Sequence, residues 1–174
     1  MIRILGFLAI LVGTTGCGVS IVKERKQEVQ ECKEWLYILS VIENEMSFQK
    51  STLPEICFRI SRQTVLNKKK RCFFKDVYNK MQQKTGEDFA NVWKKEFVAK
   101  ELASACHEDV REELKNLGER IFFEDITMQK NVIKATSEKL DYYVKRKQKK
   151  NETENNVVLC MSIMSGILIT ILLV

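Results

Sequence analysis

The stretch Cys32–Met46, CKEWLYILSVIENEM, decides the fold class of this chain. Its apolar side chains recur every three or four residues, which is the spacing of one face of an α-helix, and Lys, Gln and Glu occupy the opposite face. The apolar face consists of Cys32, Trp35, Leu36, Leu39, Ile42 and Met46. The pattern extends over 23–50 and predicts one long helix there.

Glycine and proline are scarce around this helix. Of the seven glycines only Gly86 and Gly118 lie within 23–156, and Pro54 is the one proline. The turns of a β-sandwich or barrel need more of both residues, and no Gly-rich loop is present to cradle a nucleotide phosphate. The content of Leu, Ile, Phe and Trp is too high for a disordered chain. We therefore predict an all-α bundle of about six helices.

The remaining helices follow from the same periodicity. They are predicted at about 53–65, 69–84, 87–104, 107–121 and 125–150. Thr52 and Glu55 have the spacing of a capping box, with Pro54 in the first turn, where its missing N–H costs little. Gly86 ends one helix, and Gly118 predicts a bend or a close contact between the last two.

Two uncharged segments, 4–22 and 157–174, enclose the bundle. Each is long enough, at 1.5 Å per residue, to cross the hydrocarbon layer of a membrane. We predict two transmembrane helices, the first preceded by a short tail at 1–3. A cleaved signal peptide, including a lipoprotein modified at Cys17, is the alternative for the first segment. The small residues Ala9, Gly13 and Cys17 have a spacing that permits close helix packing in lipid.

Basic residues set the expected orientation of the two spans. Lys and Arg follow the first span and precede the second, and a polar linker at 151–156 leads into the latter. By the positive-inside rule, both clusters place the bundle at 23–150 in the cytoplasm. The basic run 68–71 suits either phosphate or lipid contact or a solvated helix start, and we favour the second interpretation.

Nothing in the chain anchors a catalytic or metal site. The six cysteines form no CxxC pair, so no metal or cofactor is predicted. Cys106 and His107 are adjacent, and adjacent residues of a helix point about 100° apart, so we do not expect them to form a nucleophile and base. The aromatic residues have helical spacing and suit a core better than a nucleic-acid platform. We predict neither an enzyme nor a nucleic-acid-binding protein.

Four segments together resemble stage III sporulation protein AB of endospore-forming bacteria. They are Leu39–Phe48 (LSVIENEMSF), Ser51–Glu55 (STLPE), Trp93 in the fourth helix, and Leu117–Gln129 (LGERIFFEDITMQ). Thr52, Leu53, Pro54, Trp93, Leu117 and Gly118 are the structural positions of this match. Phe122 stands where the family pattern has a second Gly. The resemblance covers nearly the whole chain, including both apolar ends.

The resemblance implies a membrane component of the machine that links mother cell and forespore. Its soluble domain would look like the cytoplasmic domain of platform proteins from type II secretion and type IV pilus systems. It would couple a cytoplasmic secretion-type ATPase of the same operon to other membrane proteins of the complex, in the mother-cell membrane. A membrane-tethered helical adaptor or signalling protein of another system is the alternative.

A platform needs surfaces for its partners, and we selected polar residues of the matching segments as candidates. These candidate partner-binding residues are Glu43, Glu45, Glu55, Asp125 and Gln129. Gln129 falls on a heptad seam where an apolar residue would pack better. Helix capping for Glu55 and Asp125, and solvation for Glu43 and Glu45, are the alternatives that need no partner.

Overall fold

The computed structural model describes residues 2–49, 51–83, 86–122 and 125–173. Within these ranges the chain forms α-helices and no strand, as predicted. The elements are α1 (Ile2–Asn44), a π-helical continuation (Glu45–Gln49), α2 (Leu53–Ser61), α3 (Lys68–Gln82), α4 (Phe89–Ala99), α5 (Glu108–Phe122) and α6 (Ile126–Leu173). The predicted number of helices is confirmed, although α2 and α4 are shorter than expected.

The chain divides into two units, each of which takes part of α1 and part of α6. The bundle unit is Glu31–Tyr143, and the arm unit consists of the residues up to Gln30 and from Val144 onwards. The expected polar linker at 151–156 is helical, so α6 continues without a break into its apolar end.

In the arm unit, α1 and α6 run antiparallel and are joined by charged side chains. Arg25 Nη1 lies 3.1 Å from Glu154 Oε2, and Lys147 Nζ lies 2.9 Å from Glu28 Oε2. These partly exposed ion pairs are screened by water, so each contributes at most about 1 kcal/mol. Their main consequence is to fix the register of the two helices.

Small residues allow a close approach of the same two helices. A Cβ added to Gly18 would lie 2.8 Å from Ser162 Cβ and closer still to its hydroxyl oxygen. Gly13, in the small-residue stripe selected from sequence, has nothing within 4 Å of such a Cβ. Close packing through that stripe stays a prediction, because the side chains at 7–9 and 11 lie outside the described residues. The α1–α6 contact uses Gly18.

One helix of the described residues contains a segment long and apolar enough to cross a membrane. This helix is Ile126–Ile171, and it includes nearly all of the predicted span at 157–174. The predicted span at 4–22 is helical. The side chains at 4, 5, 7–9 and 11 lie outside the described residues, so the first span stays a prediction.

The core of the bundle unit is aromatic. Phe73 of α3 stacks edge-on against Trp93 of α4, with ring centroids 4.8 Å apart, and Trp35 of α1 lies 5.8 Å from Phe97. All four side chains are buried. Such pairs add about 0.5–1.5 kcal/mol each beyond the burial of their area. The aromatic residues form a core, as their spacing predicted.

Lys70 corrects the interpretation of the basic run as fully solvated. Asn67 caps α3 by accepting a hydrogen bond from the Lys70 N–H at 2.9 Å, and Lys68 and Lys69 are exposed. The Lys70 side chain is 0% exposed, and its Nζ lies 2.8 Å from Glu34 Oε2 on α1. A buried cation needs such a partner, so the third position of the run is structural.

Candidate docking groove

Two segments of the sequence match meet at Gly118. A Cβ added there would lie 2.5 Å from Trp93 Cγ and 2.7 Å from Trp93 Cβ, so only glycine lets α4 approach α5 this closely. The Trp93 indole N–H donates to the Leu114 carbonyl oxygen at 3.1 Å, one turn earlier on α5. The predicted close contact at Gly118 exists, but its partner is α4 rather than α6.

A groove of about 350 Å³ opens where three of the matching segments converge. Its walls come from the end of α1, the start of α2 and the start of α6, together with α3, α4 and α5. The lining residues are Met46, Ser51, Thr52, Leu53, Pro54, Met81, Phe89, Phe122, Ile126 and Gln129. Among the described residues the lining is mostly apolar, and none of these lining residues carries a formal charge.

Helix ends form one wall of this groove. The Thr52 N–H donates to Glu55 Oε2 at 3.0 Å, which is the predicted capping box. The same hydrogen bond holds the pKa of the Glu55 carboxyl below its usual value. Pro54 lies in the first turn, where the helix needs no N–H from it. The cap thus presents Leu53 and Pro54 to the groove.

The wall that follows α1 is its π-helical continuation at Glu45–Gln49. π-Helical turns are rare and occur frequently at functional sites. Glu45 in this turn forms an ion pair with Arg59 of α2, with Nη1 2.6 Å from Oε2. This pair ties the end of α1 to α2, and Met46 lies beside it in the groove lining.

Of the five candidate partner-binding residues, Gln129 lines the groove. Glu45 is paired with Arg59, Glu55 caps α2, and Asp125 accepts from the Ile126 N–H at 2.8 Å. Glu43 is half-buried on α1. Three of the five thus have contacts within the chain that need no partner. Partner binding by the five residues stays a prediction.

The apolar lining residues Met81, Phe89, Phe122 and Ile126 were not among the sequence candidates. The candidates were all polar, whereas the groove is built mostly from apolar side chains. A signal was available for Ile126 and Phe122, because both belong to the matching segment Leu117–Gln129. In the structure Ile126 is 57% exposed and Phe122 is 40% exposed.

Within the described ranges, no three His, Cys, Asp or Glu side chains are grouped as metal ligands would be. His107 is exposed, with its Nδ1 3.3 Å from Asp109 Oδ2. The groove itself offers hydroxyl, amide and apolar groups. The groove can therefore bind an apolar segment and form a few hydrogen bonds with it.

These features define an all-helical protein with a candidate membrane span and a largely apolar groove in its bundle unit. A family model described as stage III sporulation protein AB matches residues 3–174. The chain belongs to the stage III sporulation protein AB family, as its four segments predicted. This is a sporulation family and not a known enzyme family. No curated protein and no solved structure matches the chain.

Proposed function

We propose that the chain is a non-catalytic membrane platform component of the sporulation complex that links mother cell and forespore. It couples a cytoplasmic secretion-type ATPase to the membrane proteins of that complex. The ATPase docks through an apolar segment that enters the groove between α2 and the start of α6. The observation that carries this proposal is the convergence of three family segments on one apolar groove.

The exposure of the groove residues supports a docking role. Ile126 and Phe122 are large apolar side chains that remain substantially exposed beside the buried lining residue Phe89. Contiguous apolar surface rimmed by polar groups is typical of protein interaction sites. Gln129 and Thr52 supply polar groups at the same place, and such groups fix the register of a bound segment.

The arm unit supports membrane anchoring by both chain ends. Gly18 lies against Ser162, which belongs to the apolar end of α6. If the end of α6 crosses the membrane, its antiparallel neighbour on α1 enters the same layer. The basic residues on the bundle side of both segments then support a cytoplasmic bundle unit, by the positive-inside rule.

Deletion and complementation test the assignment to sporulation. A clean deletion in the parent endospore-forming bacterium should abolish heat-resistant spores, and the wild-type gene should restore them. Complementation with Ile126→Glu should fail, because the groove would then carry a desolvated carboxylate against its partner. A normal spore yield from the deletion strain would contradict the proposal.

Labelling of an introduced cysteine tests the orientation. Ser104→Cys places a thiol on an exposed position of the bundle unit. A membrane-impermeant maleimide should add no label to intact cells beyond that on the wild-type protein, and should add it after the cells are opened. External labelling at this position would overturn the cytoplasmic assignment.

A further inference from the structure

Two cysteines from distant parts of the sequence meet inside the bundle unit. Cys32 Sγ of α1 lies 3.3 Å from Cys106 Sγ, and 74 residues separate them. Cys32 is fully buried, and Cys106 is 8% exposed. We propose that Cys32 and Cys106 form a site of reversible oxidative modification, which a peroxide converts to a disulfide that ties α1 to the connection between α4 and α5.

The distance between the sulfur atoms is the first support. A disulfide bond is about 2.05 Å long, so the two atoms need to approach by about 1.2 Å. Cys106 lies two residues before α5, outside the regular helices, and is therefore less constrained than a mid-helix residue. Movement of this one connecting segment can close the gap without displacing α1.

The backbone of the connecting segment is strained. Glu101 and Ala103 have φ angles of 48° and 54°, in the left-handed region that side chains other than glycine rarely adopt. Leu102 and Ala103 are buried and hold the segment in place. A strained segment held by a few buried side chains opens more readily than the helices around it. Opening gives a peroxide access to Cys106.

In the closed state the pair is protected. The hydrogen bond to Cys32 and burial raise the pKa of the Cys106 thiol well above its usual value, so the thiol stays protonated. The thiolate, rather than the thiol, is the nucleophile. Oxidation therefore requires the segment to open, and the rate of oxidation measures how often it opens.

The chemistry needs two steps. The Cys106 thiolate attacks hydrogen peroxide, the O–O bond breaks, and a sulfenic acid and hydroxide result. The Cys32 sulfur then attacks the sulfenic sulfur, the S–S bond forms and the S–O bond breaks with release of water. In sum, two thiols and one peroxide give one disulfide and two waters. A thiol reductant reverses the reaction by exchange.

Peptide mapping of the full chain in detergent tests this proposal. Trypsin releases Cys32 in residues 27–33 and Cys106 in residues 101–111. After peroxide treatment and alkylation under denaturing conditions, these two peptides should appear as one disulfide-linked species. Dithiothreitol should separate them, and low urea should speed their linkage by opening the segment. Linkage should reduce the alkylated cysteines from the six of the reduced chain to four.

Two variants sharpen the result. In Cys32→Ser, a dimedone probe should trap sulfenic acid on Cys106, since the second thiol is gone. Cys57→Ser is the matched control, because Cys57 is also buried but lies in α2, and it should leave the linked species unchanged. A wild-type chain that oxidises at other cysteines while peptides 27–33 and 101–111 stay unlinked would overturn the proposal.

Discussion

Trp93 and Gly118 are in direct contact, and the absence of a side chain at Gly118 is what allows it. An added Cβ would lie 2.5 Å from Trp93 Cγ, a distance that real side chains do not show. The indole N–H is fixed by the Leu114 carbonyl oxygen, and the ring packs against Phe73 and Phe89. Trp93 therefore has little freedom to move aside, and two family segments depend on each other here.

Gly118→Ala tests this contact. We expect the variant to lower the free energy of unfolding by about 1–3 kcal/mol, because the methyl group overpacks the helix crossing. Urea unfolding followed by circular dichroism measures the change. Gly13→Ala is the control, since no described atom lies within 4 Å of its added Cβ. Alanine favours a helix over glycine, so this variant should be at least as stable as wild type. An unaltered curve for Gly118→Ala would mean that α4 and α5 accommodate the methyl group with no loss of stability, which would contradict the prediction.

The buried Lys70 ion pair predicts an asymmetry between two substitutions. Glu34→Gln leaves a fully buried cation whose remaining carboxylate, Glu31 Oε1, lies 3.8 Å away. Lys70→Met leaves Glu34 with a partly exposed side chain that water can solvate. We expect Glu34→Gln to lower the free energy of unfolding by about 3 kcal/mol and Lys70→Met to lower it by less. Denaturation of both variants checks the order, and the reverse order would refute the assignment of the pair.

Glu55 predicts a pH dependence of stability. Its pKa in the folded state lies below the ordinary 4.5, chiefly because the Thr52 N–H donates to the carboxylate. Its contribution is therefore fully present above the unfolded-state pKa and is lost as the pH falls through the folded-state value. Glu55→Gln should make the loss of stability below about pH 4.5 less steep.

Thermal unfolding at a series of pH values measures this effect. Glu119→Gln, an exposed substitution on α5, removes the same charge and serves as the control. Parallel curves for Glu55→Gln and wild type between neutral and acidic pH would show that the capping box does not depend on the charge of Glu55.

Most of the fold could be predicted because it depends on local patterns. The helical face around Trp35, the cap at Thr52 and the glycine at Gly118 each leave a signal within a few residues of sequence. The neighbour of Gly118 could not be predicted, because a small residue permits a close approach without specifying which helix approaches. The burial of Lys70 within a basic run could not be predicted either, because its partner Glu34 is 36 residues away in the sequence and leaves no local signal.

The candidate site could be predicted only in part. Gln129 was a partner-binding candidate from sequence and lines the groove, whereas Thr52, Leu53 and Pro54, which line it too, were selected only as structural positions of the family match. The charged candidates Glu45 and Glu55 are instead engaged within the chain, by Arg59 and by the helix cap. A carboxylate on a helix surface has the same sequence pattern whether it binds a partner or a neighbouring residue. The apolar groove residues are indistinguishable from core residues until their exposure is known.

The central claim is that the groove binds the cytoplasmic ATPase of the complex, and a matched pair of substitutions tests it most directly. Ile126→Glu places a carboxylate in the groove. Met128→Glu makes the same change two residues away, outside the groove lining, at an almost equal exposure of 58% against 57%. Both positions are exposed, so we expect both variants to fold as wild type does, and circular dichroism checks this.

The measurement is the amount of ATPase that co-purifies with each tagged variant from sporulating cells. We expect Met128→Glu to retain the wild-type amount. Ile126→Glu should lose at least about tenfold, because a carboxylate desolvated at the interface costs more than about 1.4 kcal/mol. Equal recovery of the ATPase with wild type and both variants would contradict the account.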